Sequence, residues 1–391
     1  MVIPPERLEA AIWVYHFSVL SFMVSIIQVP YNATIIAHER MNVYAYLSII
    51  EVLLKLLIVF MLTWITYDKL KLYGILHFAV MFLIASFYRI YTRKNFEETK
   101  FEVVRDKKLY KTLISYSGWN LFGNIAAVAK GQGVNIILNM FFGPVVNAAR
   151  GVAMQVQGAV NSFVSNFQMA VNPQIIKSYA ADEKDYMASL VIRSSKFSFY
   201  LLYVLSLPII LEIDQILKLW LKTVPEYSSI FTILVLVIIL IDCVSGPLMT
   251  AIQATGKIKV YQAVVGSLLT LILPISYILL KQGYSPEVTL YVNIVISIIA
   301  LSFRLYLVWK LLDFPVIRFL REIVLKNIVI VLISISIPLF IRYYMNENIV
   351  RLIIIVIVTM IWNLTTIYLL GLHKSEKAIV IRGFNKIMRR K

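Results

Sequence analysis

Polar and charged side chains lie inside two neighbouring apolar segments of this chain, residues 114–141 and 145–171. Lys130 lies in the first segment and Arg150 in the second. The amide side chains singled out around them are Asn124, Gln132, Asn135, Gln157 and Asn161. Inserting a charge into a membrane helix costs about 2.5–3.5 kcal/mol, so such residues usually face a cavity or a partner. Two cations among amides therefore predict a wet cavity for a hydroxyl-rich, anionic ligand.

Structural roles compete with this interpretation. Lys130 could form a structural ion pair, and Arg150 could extend its side chain to the outer membrane interface. Asn and Gln also join membrane helices by hydrogen bonds. Gly131 and Gly133 flank Gln132, where a hinge and close helix packing are equally good explanations.

The segments that carry these residues are predicted to be membrane helices. The 391 residues are 60% hydrophobic and 15% charged, with a mean hydropathy of +0.80, which is unlike a soluble domain. Apolar runs of about 20 residues match a hydrocarbon core about 30 Å thick. Eleven spans are predicted, at residues 9–32, 43–64, 72–92, 114–141, 145–171, 194–217, 228–251, 260–280, 288–309, 323–342 and 350–371. Asn95–Lys111 is predicted to be an amphipathic helix on the membrane surface.

The basic residues predict an orientation. With eleven spans, 27 of the 38 Lys and Arg residues fall on one side and 8 on the other, which places the C-terminus in the cytoplasm and Met1 outside. The net charge of +17 then reflects topology and contact with anionic lipid, not nucleic-acid binding. One cysteine, Cys243, and four histidines offer neither a disulfide framework nor a metal site.

Three further ionisable residues inside spans are candidates for ion coupling. Glu51 and Lys55 are four residues apart with Glu first, an order that favours an intrahelical pair. The alternative is that they join a substrate or cation pathway. Asp242 has no local partner, and it could bind a proton or Na⁺, or balance Lys130 or Lys55.

A fifteen-residue stretch recurs after 217 residues. Residues 30–44 align with 247–261, with Pro, Ile, Ala, Val and Tyr coinciding and Arg40 opposite Lys257. Both copies run from one span through a cytoplasmic turn into the next, so the predicted repeat is parallel. Pro30 and Pro247 occupy matching positions and are predicted to kink helices that rock during alternating access.

Two stretches carry a family resemblance. The first runs from IPPER through VPYNATIIAHERMNVYAYLSIIEVLLKL, and the second is SYSGWNLFGNIAAVAKGQGVNIILNMFFGPVVNAARGVAMQVQGAVNSFVSNFQMAVNPQI. The chain resembles bacterial polysaccharide-lipid flippases of the O-antigen (Wzx) type, in the multidrug/oligosaccharidyl-lipid/polysaccharide exporter superfamily. The likeness covers essentially the whole chain. It implies an all-α, MATE-like membrane fold with two six-helix lobes around a central cavity, followed by two further helices.

Together with the repeat, the resemblance implies that the first lobe is incomplete. Three helices are then expected before Met1. A miscalled start, a truncated gene or a half-lobe version of the fold would each explain why they are missing. The expected organisation is the remainder of the N-terminal lobe at 1–94, an amphipathic cytoplasmic linker at 95–113, a C-terminal lobe at 114–310, and two extra helices with a basic tail at 311–391.

The resemblance implies a transporter that flips an undecaprenyl-diphosphate-linked oligosaccharide, a repeat unit of O-antigen, capsule or exopolysaccharide, across the bacterial inner membrane. Lys130 and Arg150 would then bind the diphosphate. Membrane lipids, a polysaccharide polymerase and chain-length machinery are the implied partners, and no cofactor is expected. The chain has no GxxxxGK[ST] loop for ATP, so energy would come from an ion gradient or substrate flow.

Other functions remain open at this stage. A drug/cation antiporter of the same superfamily would use Asp242 or Glu51 to bind the cation, and an inactive, truncated flippase is a further alternative. A membrane enzyme is disfavoured because the outer loops are short. Its best acid–base pair would be Glu212 and Asp214.

Overall fold

In a computed structural model of the protein, which describes residues 8–64, 68–99, 105–374 and 376–378, every regular element is helical. The helices are α1 (Leu8–Ala37), α2 (Met41–Trp64), α3 (Lys69–Asn95), α4 (Lys107–Phe142), α5 (Pro144–Ala180), α6 (Lys184–Leu211), α7 (Ile213–Trp220), α8 (Ser228–Cys243), α9 (Ser245–Ala254), α10 (Lys259–Lys281), α11 (Val288–Leu312), α12 (Val316–Phe319), α13 (Lys326–Tyr344) and α14 (Ile349–Thr366). One π-helical turn, Leu320–Leu325, joins α12 to α13, and another, Ile367–Gly371, extends α14.

Ten helices among the described residues are long and apolar enough to cross a membrane, as expected of a multi-pass membrane protein. The broken helix α8–α9 counts as one of them, as does the stretch Val316–Tyr344. Each predicted span overlaps a helix, but the fifth, α5, is not among the ten. Its many amide side chains, which drew attention in the sequence, lower its hydropathy.

The predicted surface helix over Asn95–Lys111 is wrong for the residues described. Asn95 ends α3, Glu97–Thr99 form a single 3₁₀ turn, and Lys107 begins α4, while residues 100–104 lie outside the described part. The charged end of α3 and the charged start of α4 together gave the segment its amphipathic composition.

The chain divides into two compact units, Met1–Asp106 and Lys107–Lys391. In the first unit, α1 packs along α3, and Ile35, Ile84 and Tyr88 are buried between the helices. Lys71 at the start of α3 donates to the carboxylate of Glu9, 2.7 Å away. Few apolar side chains are buried within this unit, as expected of helices that face lipid.

Both copies of the predicted repeat make the same turn. α1 ends at Ala37 and α9 at Ala254, and these positions are 217 residues apart. In each turn the second residue after the helix has a left-handed backbone, with φ of 56° at Glu39 and 69° at Gly256. The second residues after α5 and α10, Asp182 and Gly283, have the same backbone conformation, so the turn agrees with the repeat without being specific to it.

In the second unit, α6 is the most deeply buried of the candidate membrane spans, and two ion pairs join its middle and its C-terminal end to residues near the two ends of the last helix. At the end of α6, Glu212 accepts a hydrogen bond of 3.0 Å from Nη2 of Arg351, in the first turn of α14. Sixteen residues earlier, about 24 Å along a helix, Lys196 donates to both carboxylate oxygens of Glu376, each 2.6 Å away. All four residues are buried. Glu212 supplies the acid of one pair, and Lys196 supplies the base of the other. Because the later residue of α6 pairs with the start of α14 and the earlier one with the segment after α14, the two helices must be antiparallel.

Candidate functional site

A charged cavity of about 380 Å³ lies inside the second unit. It is lined by residues of α4, α5, α8, α9, α10 and α11. We call it the charged cavity because Lys130, Arg150, Asp242 and Arg304 all line it. The resemblance implied a cavity between two lobes. The residues that line the charged cavity belong to the second unit.

Helical periodicity explains which side chains reach the cavity. On α4, α5 and α11 the lining positions recur mostly every three or four residues, which places them on one face of each helix. On α4 they are Ala127, Lys130, Gly131 and Val134; on α5, Arg150, Met154 and Gln157; on α11, Thr289, Leu290, Asn293, Ser297, Ala300 and Arg304. The cavity wall therefore combines one polar stripe from each of three helices with apolar side chains between them.

The cavity contains three cations and one carboxylate. Lys130 lies in the field of Asp242, which attracts it, and in those of Arg304 and Arg150, which repel it. Within the described part of the chain, Lys130 and Asp242 form no hydrogen bond or ion pair with any side chain. The ion pair offered as a structural role for Lys130 is therefore not formed with a described carboxylate, and both groups are available to a ligand.

Arg150 is held in the cavity wall. Only 6% of the residue is exposed, which does not fit a side chain extended to the membrane interface. Nη2 donates to the carbonyl oxygen of Gly131 at 3.3 Å, while Nε is buried without a hydrogen-bond partner among the described residues. A buried donor of this kind is costly unless something accepts its proton. An anionic ligand would satisfy it.

Arg304 is a cavity residue that the sequence analysis missed. It lies inside the ninth predicted span, 288–309, and within α11, but it was not among the predicted site residues. Its guanidinium donates to Ser245 Oγ at 3.3 Å and to Tyr261 Oη at 3.4 Å, and it lies 6.0 Å from the centre of the Tyr261 ring. These contacts fix the planar group beside the cavity. The signal that could have found it is the polar stripe through Asn293 and Ser297.

A break in the seventh predicted span shapes another wall. Pro247 has no backbone N–H to give to the carbonyl of Cys243, so the helix is interrupted between α8 and α9. The freed carbonyls find other donors, because Gln168 Nε2 binds the oxygen of Cys243 at 2.8 Å and Ser195 Oγ binds that of Val244 at 2.9 Å. A break held in this way places Asp242 at the cavity. The hinge role assigned to Pro247 stays a prediction.

Four predicted ligand residues do not line the charged cavity. Asn124 and Gln132 are exposed, and Asn135 donates to Gln132 at 3.3 Å. Asn161 donates to Ser165 Oγ at 3.3 Å. For Gln132 the physical reason is the helical turn, since it lies two residues from Lys130 and projects about 200° away from it. Asn124 and Asn161 share a face with the lining residues of their helices but lie one turn beyond them. Of the predicted amides, only Gln157 lines the cavity.

The glycines beside Gln132 have different roles. A Cβ atom on Gly133 would lie 2.6 Å from Cδ2 of Leu273, so this glycine permits the close packing of α4 on α10. Gly131 has free space around it and supplies the carbonyl that Arg150 binds.

Glu51, Lys55 and Pro30 belong to the first unit and do not line this cavity. Lys55 donates to Glu51 at 2.6 Å, which is the intrahelical pair that one of the two alternatives expected. Pro30 lies inside the continuous helix α1, unlike Pro247 at its break.

The carboxylates considered for a membrane enzyme both have structural partners. Glu212 binds Arg351, and Asp214 accepts a hydrogen bond of 2.6 Å from Ser229 Oγ. Within the described residues, no group of three or more His, Cys, Asp or Glu side chains could hold a metal ion.

No protein-family model, no curated protein and no solved structure matches this chain. The resemblance carried by the quoted stretches therefore stays a prediction, and functional inference depends on the charged cavity.

Proposed function

We propose that this chain is a transporter that moves an undecaprenyl-diphosphate-linked oligosaccharide from the cytoplasmic to the periplasmic leaflet of the bacterial inner membrane. The observation that carries the proposal is the charged cavity, where Lys130, Arg150 and Arg304 outnumber the single carboxylate of Asp242. Such an excess of positive charge attracts a diphosphate, and one guanidinium group can donate to two phosphate oxygens at once. The substrate class itself comes from the family resemblance.

The size of the cavity limits what it would hold. About 380 Å³ is near the lower end of small-molecule pockets, which span about 300–1,000 Å³. That volume suits a diphosphate with its first sugar, and a longer glycan would extend beyond it. Side chains such as Asn293, Ser297 and Gln157 would meet sugar hydroxyls as hydrogen-bonding partners.

A drug/cation antiporter is the second candidate, and Asp242 in the cavity is the observation in its favour. Three nearby cations would repel a positively charged drug. In the flippase, Asp242 would limit the net charge of the empty cavity and would be the group on which a coupling proton or Na⁺ acts.

The direct test is Lys130→Ala in cells that depend on this protein to export a surface glycan. Surface glycan, measured by gel staining, should be lost while membrane abundance of the protein stays unchanged. Lys281→Ala is the matched control, because Lys281 ends α10, is exposed and does not line the cavity. Normal export by Lys130→Ala would contradict the role given to the cavity.

We also propose that the C-terminus is cytoplasmic, which the uneven distribution of Lys and Arg supports. A green fluorescent protein fused after Lys391 should then fluoresce, because this reporter folds in the cytoplasm and not after export by the general secretion pathway. A dark fusion, together with an active alkaline phosphatase fused after the same residue, would reverse the orientation.

A further inference from the structure

A second charged region lies in the same unit, away from the charged cavity. It is a polar pocket of about 480 Å³ where α6 meets the end of the last helix. Its lining residues are Ile192, Arg193, Lys196, Arg318, Glu322, His373, Lys374 and Glu376. None of these residues lines the charged cavity, and the proposed transport function makes no use of them.

Ion pairs neutralise only part of the polar pocket. Lys196 is bound to Glu376, and Arg318 donates to Glu322 at 2.8 Å. Arg193 and Lys374 line the same pocket, and both are exposed. Neither has a hydrogen bond or an ion pair with a side chain in the described part of the chain. After the pairs are counted, two positive charges remain for a ligand.

An aromatic groove of about 1,130 Å³ adjoins the polar pocket, since Arg318, Glu322 and His373 line both. Its other side is apolar and open, with Trp309 56% and Ile317 84% exposed. Exposed Trp and Tyr side chains are enriched at the depth of the lipid headgroups, because part of the side chain is apolar and part can bind water there. Positive charge and an exposed apolar surface therefore lie side by side.

We propose that the polar pocket binds the phosphate of an anionic phospholipid, with the lipid's glycerol and first acyl carbons against the aromatic groove. Arg193 and Lys374 would bind the phosphate oxygens. Trp309 and Ile317 would contact the apolar part. Basic pockets between membrane helices on the cytoplasmic side bind anionic headgroups in this way, and the predicted topology places this region on that side.

The test is a lipid titration of the full chain in detergent, followed by native mass spectrometry. Phosphatidylglycerol should bind more tightly than phosphatidylcholine with the same acyl chains. The double variant Arg193→Gln/Lys374→Gln should bind phosphatidylglycerol about 25-fold more weakly, about fivefold for each charge lost. Lys257→Gln is the matched control, because Lys257 is also exposed on the predicted cytoplasmic side but does not line the pocket.

A charge-retaining variant, Arg193→Lys/Lys374→Arg, keeps the test valid if the neutral variant fails to fold, and it should bind phosphatidylglycerol nearly as well as the original chain. Equal binding of the two lipids, or unchanged binding by the neutral variant, would overturn the site. Soluble glycerol phosphate is the third arm. If it binds as tightly as the lipid and loses affinity in the same variant, the ligand is a free phosphate and the lipid assignment is wrong.

Discussion

Breaking the buried ion pair between Glu212 and Arg351 should destabilise the second unit strongly. Glu212 is 2% exposed and Arg351 9%, and their 3.0 Å hydrogen bond joins the end of α6 to the start of α14. Glu212→Gln keeps a side-chain oxygen that can accept a hydrogen bond but removes the negative charge, so the buried guanidinium would have only neutral acceptors, among them the carbonyl of Met345 at 3.2 Å. The loss of one partner in such a pair costs about 3–5 kcal/mol, because the remaining charge is uncompensated.

Thermal unfolding of the protein in detergent measures the effect. For large domains each kcal/mol lowers the Tm by about 2–4 °C, so a fall of about 6–20 °C is expected. The double variant Glu212→Leu/Arg351→Met should recover most of this loss, since apolar residues of similar volume often replace a buried pair at little cost.

The chain offers a matched control at the same end of the unit. Lys218 and Glu347 form an ion pair of 3.2 Å whose side chains are 64% and 44% exposed. Glu347→Gln should cost about 0–1 kcal/mol, because solvent already screens that pair. Equal Tm changes for Glu212→Gln and Glu347→Gln would refute the argument from burial, as would a double variant whose loss equals the sum of the single losses.

Three further predictions concern the charged cavity and the other buried pair. Arg304→Lys keeps the charge but cannot reach both Ser245 and the ring of Tyr261, so glycan export should fall while membrane abundance stays normal. Gly246→Ala would place a Cβ 2.8 Å from Cδ of Gln168 and displace it from the carbonyl of Cys243, lowering stability by about 1–3 kcal/mol; Gly151→Ala, with open space around it, should be nearly neutral. The pKa of Glu376 is lower than usual, because hydrogen bonds from Lys196 and the His373 backbone outweigh the burial that would raise it. The stabilisation by the Glu376 carboxylate is therefore complete above its unfolded pKa of about 4.3 and is lost as the pH falls through its folded pKa. Between pH 7 and the lowest pH that the protein tolerates, the Tm of the original chain should therefore fall further than the Tm of Glu376→Gln.

Hydropathy predicts most of the helices in this chain, because a membrane segment must be both long and apolar. The same criterion fails for α5. Its 37 residues form a continuous helix, but amides and Arg150 make it too polar to be counted. Within a bundle such a helix needs no uniformly apolar surface, since its polar face can line a cavity. Composition averages over all faces and does not register that difference.

The positions of the polar side chains on their helices explain why the candidate site was only partly predicted. The many amide side chains of α4 led to the prediction that this helix lines a cavity. Lys130 does line the charged cavity, while Gln132 projects to another side of the helix. Spacing alone could have grouped Lys130 with Ala127 and Val134, which share its face. The spacing could not have shown which face of α4 lines the cavity, because that depends on how α5, α8 and α11 are arranged around the cavity.

Arg304 shows what sequence reasoning about topology leaves out. A basic residue near the end of an apolar run is ordinarily taken to set orientation, and the predicted site did not include Arg304. In the structure it continues the stripe of Asn293 and Ser297 into the charged cavity, and Ser245 and Tyr261 hold it there. Distant parts of the chain supply those two partners, so the residues next to position 304 do not reveal them. The polar stripe on α11 is the feature that a sequence can reveal, and the spacing of polar residues across a whole span is therefore a better guide than the position of one charge at its end.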